Sequence, residues 1–174
     1  MIPTLETPRL RLRAFRDSDL DAFAAMQADP EVMRFLGLTG ATRSRAESWT
    51  GMAVAMGQWV LKGFGMWAWE ERETGRFVGR GGLLDLFGWP QPELAYALVR
   101  DAWGQGFAQE ACRAALDWGY ATLGRDQFAS FIKPGNEPSR RTAAQLGAVF
   151  EGMTELMGVP CELWLHRRHA FAMA

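Results

Sequence analysis

An α/β fold, a mixed sheet flanked by helices in one domain over residues 1–174, is what this sequence predicts. Three observations predict it. Stretches of two-residue alternation interleave with stretches of helical periodicity. No repeat, low-complexity tract or linker interrupts them. The 174 residues, 48% hydrophobic and 22% charged, suffice for one full core.

Each element has its own signal. "RLRLRAF" (9–15) alternates as a strand, and Asp17 is placed to cap a helix through "SDLDAFAAMQ". Apolar Trp49, Met52, Ala53, Met56, Trp59 and Val60 recur at helical spacing and predict a helix over 43–62. "FGMWAWEE" and "TGRFVGRGGLLDLF" read as two strands joined by a turn at Thr74 and Gly75, with "PQP" (90–92) closing the second. "ELAYALV" (93–99) is a further strand. A helix then runs to about Leu123, with polar Gln109, Arg113 and Asp117 spaced by four. "QFASFI" (127–132) is a strand, "NEPSRRTAAQLG" (136–147) a short helix ended by Gly147, and "AVFEGMTEL" and "CELWLH" are closing strands.

Composition narrows the function. A net charge of −1 gives no bulk attraction to nucleic acid or to an anionic membrane surface, so any bound anion must be caught locally. Cys112 and Cys161 lack metal-type spacing, which fits a reduced, intracellular chain. His166 and His169 have no cysteine or carboxylate at ligand spacing and read as surface residues, so no metal is expected. The first residues have no signal-type apolar core, and no run approaches the roughly 18 apolar residues of a membrane span. The expectation is a soluble cytoplasmic protein.

One stretch stands out. "WGQGFAQEA" (103–111) places Gly104, Gly106 and Ala108 between a strand and a helix N-terminus. Backbone N–H groups and the helix dipole make such a junction an anion site that needs no basic side chain. Glycine for turn geometry alone is the competing reading. A Walker loop fails, because no Gly-Lys-Ser/Thr follows. A dinucleotide fingerprint fails at Gln109, and Asp126 precedes its strand instead of following it.

The junction resembles the GNAT superfamily of acetyl-coenzyme A dependent N-acetyltransferases, whose signature is Gln/Arg-x-x-Gly-x-Gly/Ala. Trp103-Gly104-Gln105-Gly106-Phe107-Ala108 matches at both small positions and departs at the first, where Trp103 stands. That departure, with Glu110-Ala111 following, resembles the RimJ/RimL ribosomal-protein acetyltransferase branch. So do "TPRLRLRAF…DSDLDAF", "TGRFVGRGGL" and "NEPSRRTAAQLGAVFEG", which extend the likeness over nearly the whole chain.

The resemblance implies a mostly antiparallel sheet of six to seven strands, splayed between the fourth and fifth, with about four helices. It implies acetyl-coenzyme A as acetyl donor. Its pantetheine arm would lie near Leu98, Val99 and Arg100, its pyrophosphate on the backbone of the segment from Trp103 through Gly104, Gln105, Gly106 and Phe107 to Ala108. Asn136 resembles the family asparagine that meets the pantetheine arm, and a plain helix cap is its other reading. The chemistry implied is direct attack of an amine on the thioester. Glu93 is the candidate base and Asp85 the reserve. A solvated carboxylate at a strand start is the other reading of Glu93. Ala143 stands where many members carry an acidic tyrosine, so Ser139, in the branch's Asn-x-x-Ser pattern, is the candidate acid; helix capping is its alternative. Helix 43–62 and "FGWPQP" (87–92) should form the acceptor lip, although such apolar stripes more often pack a core. Expected partners are the coenzyme, an amine acceptor and, optionally, a second copy of the chain. A non-catalytic acyl-coenzyme A binding domain is the alternative function.

Overall fold

The computed structural model describes residues 1–168. In chain order the elements are β1 (Leu5–Glu6), β2 (Leu10–Arg13), α1 (Leu20–Ala28), α2 (Pro30–Met33), α3 (Arg45–Lys62), β3 (Met66–Glu71), β4 (Phe77–Leu84), β5 (Glu93–Leu98), α4 (Phe107–Thr122), β6 (Gln127–Ile132), α5 (Glu137–Gln145), β7 (Val149–Leu156) and β8 (Val159–Arg167). The strands form one sheet in the order β1-β2-β3-β4-β5-β6-β8-β7. Every neighbouring pair is antiparallel except β5 and β6, which are parallel and share the single register pair Glu93 and Ala129. With the two-residue β1 left out, these are the fourth and fifth strands. β1 and the four-residue α2 are too short to show a period, which is why the sequence suggests fewer elements.

Local chemistry sets the boundaries. α3 starts directly after Ser44 in a capping box, in which the Ser44 oxygen accepts from Glu47 N–H and the Glu47 carboxylate accepts from Ser44 N–H. It ends at Gly63 in the left-handed conformation. Its buried stripe is Ser48, Met52, Ala55 and Trp59, while Trp49 and Val60 are exposed. Asp17 does not cap α1 but belongs to a 3-10 turn, Asp17–Asp19. Asp19 stands at the N-cap of α1 without a side-chain cap bond; its carboxylate instead accepts from Arg16 N–H at 2.8 Å across the 3-10 turn. Its carboxylate also grips buried Arg13 with two bonds of 2.7 and 2.8 Å, and Glu70 takes the remaining edge of that guanidinium at 2.6 Å. Such a buried ion network is tolerated because each charge is matched.

The sheet carries a core on each face. Trp59, Trp67, Trp69, Phe107, Leu116 and Phe128 pack on the α4 side. Phe15, Phe23, Met52 and Phe77 pack on the side of α1 and α3. Both faces are closed, leaving the gap between β5 and β6 as the way into the sheet.

Candidate active site

The gap begins at one tight junction. Ala129 N–H donates to Pro92 O at 3.1 Å, and Ser130 Oγ donates to Leu94 O at 2.9 Å. His166 Nε2 lies 3.0 Å from the same Oγ. Since the hydroxyl proton is spent on Leu94, His166 must carry its proton on Nε2 and donate. Its Nδ1 is buried without a partner, and burial lowers the imidazole pKa to about 4, with Arg113 adding to the effect. The histidine is therefore neutral and 1% exposed, not the surface residue its spacing suggested. His169 lies outside the described residues.

Beyond Leu94 the strands part. Val99 N–H donates to Val78 O at 3.0 Å, so alternation assigns residues 93, 95, 97 and 99 to β4 and turns 94, 96 and 98 toward β6. Leu98 O accepts from the Trp103 indole at 3.1 Å. The N–H of Leu98 and both backbone groups of Tyr96 are left facing the gap. Val99 and Arg100 are more occupied than the sequence suggested. Val99 O accepts from Ala102 N–H, Arg100 O accepts from Trp103 N–H, and the Arg100 guanidinium is paired with Asp29.

The gap opens into a cleft of about 1130 Å³ that passes between β5 and β6, from the α4 side to the α1–α2 side. Leu98, Trp103, Gly104, Ala108, Asn136, Ser139 and Glu93 all border it. Gly104 and Gly106 have φ of +73° and +79°, so the turn demands glycine, yet a Cβ added at Gly104 would meet only open space. Gly106 caps α4 with no side-chain bond, leaving the first-turn N–H groups directed outward. The side chains of Gln105 and Phe107 point elsewhere. Gln105 reaches Asp101 O at 2.8 Å, and Phe107 is buried beneath the Arg9 guanidinium. Arg9, which the sequence reading missed, braces this turn through Gln105 O at 2.8 Å and Glu110 at 2.7 Å. Its contact is 96 residues distant in sequence, and no local pattern reports it.

Glu93 lies at the apex and is 8% exposed. Trp89 Nε1 donates to its Oε2 at 2.8 Å, and Phe131 N–H to its Oε1 at 3.4 Å. Burial raises the carboxyl to about 7, against the opposing influence of these donors and of Arg80. Asp85 does not border the cleft, and its carboxylate is held by Lys62 at 2.7 Å. Of the proposed lip, Arg43, Glu47, Thr50, Gly51, Val54, Ala55 and Trp89 border the cleft, whereas Phe87 is fully exposed.

On the α5 side, Asn136 Oδ1 accepts from Ser139 N–H at 3.3 Å, so Asn136 is indeed a helix cap. Its amide NH2 has no acceptor among the described residues and borders the cleft. Tyr96 is stacked on Trp69, and burial pushes its phenol up to about 12, against the hydroxyls of Thr142 and Ser139. Nothing in the alternation of β5 singled this tyrosine out.

The profile of the acetyltransferase (GNAT) domain family matches residues 9–149. The chain belongs to the GNAT acetyltransferase family. It is 36% identical over 149 residues to the uncharacterized protein YkkB of Bacillus subtilis, covering 82% of this chain and 83% of that one. An acetyltransferase structure from Agrobacterium tumefaciens superposes with a TM-score of 0.87 at 26% identity, over 97% and 96% of the two chains. Mycobacterium smegmatis RimJ in complex with a coenzyme A disulfide shares the fold at a TM-score of 0.77 and 18% identity, over 99% and 90%. The protein is thus a GNAT-fold acetyltransferase, an enzyme of a family that uses acetyl-coenzyme A. No described helix is long and apolar enough to cross a membrane, and no group of three or more metal-ligating side chains occurs among the described residues.

Proposed function

We propose that the enzyme transfers acetyl from acetyl-coenzyme A to a primary amine by direct attack, in the manner of the RimJ/RimL-like branch. The observation that carries this reading is Glu93, a buried carboxyl titrating near 7 where the β5–β6 gap opens into the cleft. A base with that pKa is matched to taking a proton from an ammonium group at neutral pH. The coenzyme fits the residues present, because outward backbone N–H groups and open space above Gly104 suit a pyrophosphate.

When bound, the coenzyme supplies an activated acetyl thioester. Backbone N–H groups between Trp103 and Ala108 hold the phosphates. The unpaired Leu98 N–H, the backbone of Tyr96 and the Asn136 amide hold the pantetheine arm. Val99 and Arg100 contribute position alone, as the end of β5. Trp103, standing where the family signature has Gln or Arg, closes that end by bonding Leu98 O. Glu93 takes the amine proton directly or through one water. Ser139, with Tyr96 against it, stabilises the departing sulfur by donating a hydrogen bond. Neither hydroxyl needs to surrender its proton, because a thiol of pKa about 8.5 leaves as its anion. Two cysteines, both free, support a reducing cytoplasmic setting.

The test is release of free thiol from acetyl-coenzyme A across a panel of primary amines. Amine-dependent release is expected. Saturable coenzyme binding with no release from any amine would overturn the transferase reading in favour of an acyl-coenzyme A binding module.

A further inference from the structure

The acceptor half of the cleft contains a cation whose partner is missing. Arg80 sits mid-strand on β4, opposite Ala68 and Ala97 in the register. Both alanines belong to the core beneath α1 and α3, so Arg80 rises on that face, the same one as Glu93 opposite Leu84. It borders the cleft. Among the described residues its guanidinium has neither a hydrogen bond nor a carboxylate partner, unlike Arg13, Arg100 and Arg140, which each hold an acid. Burial and the nearby charge of Arg43 lower its pKa to about 10, with Glu93 opposing, so it remains a cation at neutral pH. Arg80 is half-buried and borders the cleft, where an entering anion can pair with its guanidinium away from bulk water. Glu93 acts on Arg80 only at longer range: the two attract, but no hydrogen bond or ion pair joins them, and Glu93 keeps acceptor positions open beside the bonds from Trp89 and Phe131.

Two further groups converge on the same region. The Arg43 main chain is pinned by its N–H bond to Gln27 O at 2.9 Å. Its Nη1 lies 3.7 Å from the point where a Cβ on Gly51 would sit, and Gln27 Oε1 lies 3.9 Å from that point. Gln27 is 2% exposed, and Oε1 has no donor. A buried amide oxygen without a donor is as anomalous as a guanidinium without an anion. Together they describe a ligand with N–H donors and a negative charge. Lys133 Nζ donates to Leu38 O at 3.1 Å, drawing the segment after α2 across the end of β6. That segment covers the acceptor end, which suits a small molecule better than a protein surface.

We infer that the acetyl acceptor is a small amine bearing an anionic group, carboxylate or phosphate, which seats against Arg80 and Arg43 while its nitrogen faces Glu93 and Gln27. The inference deepens the transferase reading and rests on it for the word acceptor.

Binding to the coenzyme A-loaded protein, which cannot turn over, is measured by calorimetry for a free amino acid against its carboxamide and for an aminoalkyl phosphate against the aminoalcohol. At least one anionic member should bind tenfold or more tightly than its neutral counterpart, and the better pair identifies the anion. Arg80→Gln should collapse that ratio toward one, Arg80→Lys should keep part of it, and Arg125→Gln, at an exposed position, should keep it all. A ratio near one in the parent or an undiminished ratio in a folded Arg80→Gln would overturn the proposal. So would acetylation of a carboxyl-blocked peptide as fast as of a free amino acid. Anion-selective binding without thiol release, in contrast, would sink the transferase reading and leave the anion site in place.

Discussion

Glu93 is a carboxyl whose environment can be stated atom by atom, and its titration follows. Its folded-state pKa of about 7 lies above the ordinary 4.5, so the unfolded chain ionises first as pH rises. The penalty is absent below about pH 4.5, grows up to about 7 and is constant above it, where it reaches about 3 kcal/mol. Glu93→Gln removes this titration. Relative to the parent, the variant should be equally stable at pH 4 and more stable by up to about 3 kcal/mol at pH 8. Its turnover should move the opposite way, falling about a hundredfold at neutral pH for loss of the base. The inflection near pH 7 should vanish, leaving a rate that recovers with pH as the amine itself deprotonates. Urea melts at the two pH values and a kcat/KM profile check both halves. An unchanged profile would move the role to water alone, since Lys62 holds Asp85. The carboxyl was legible in the sequence as an acid opening a strand. Its raised pKa was not, because burial causes it and is created by the packing of distant segments, including Phe131 from a strand 38 residues on, whose N–H with the Trp89 indole only partly offsets it.

At the scale of the element, α4 and the turn before it show what local sequence can and cannot convey. The helix spans Phe107–Thr122, close to its reading from amphipathic spacing, because a 16-residue helix gives its period several turns in which to appear. The small residues before it have two causes that the sequence could not separate. Gly104 and Gly106 are required by positive φ, yet the space over Gly104 is also open. Ala108 separates the causes, since a helical alanine has no conformational excuse. It packs partly against the α4-side core and also borders the cleft. Ala108→Glu puts a carboxylate in a first helical turn, where the dipole favours it by about 0.3–1 kcal/mol. The apo variant should therefore melt near the parent, while the same charge repels the phosphates and abolishes the thermal shift given by coenzyme A. Paired melts of one preparation decide it. A retained shift with an intact fold would place the phosphates elsewhere.

For the whole molecule, the sheet consists of two parts, β1 to β5 and β6 to β8, joined at one register pair and at the hydrogen bonds around it, Ala129 N–H to Pro92 O, Ser130 Oγ to Leu94 O and Phe131 N–H to the Glu93 carboxylate. The order of elements along the chain was legible because each is local. The insertion of β8 between β6 and β7 was not, because strand pairing depends on partners far apart in sequence. Burial of His166 follows from that insertion, as β8 is paired on both sides. A ligand lying in the gap touches both parts and should stabilise the protein as a unit. At a hundredfold excess over Kd, coenzyme A should add about 2.7 kcal/mol, or roughly 5 to 10 °C in Tm for a domain of this size. Ser130→Ala tests whether the closed end is a joint distinct from the ligand site. It deprives Leu94 O of a donor and His166 Nε2 of an acceptor, both buried, which should cost about 1–3 kcal/mol in the apo protein. The coenzyme shift should survive, because the cradle at Gly104 to Ala108 is untouched and the ligand still spans the gap. Thermal melts with and without coenzyme A give both quantities. A folded Ser130→Ala variant that melts like the parent would show that the junction contributes nothing. One that loses its shift would show that Ser130 belongs to the binding site itself.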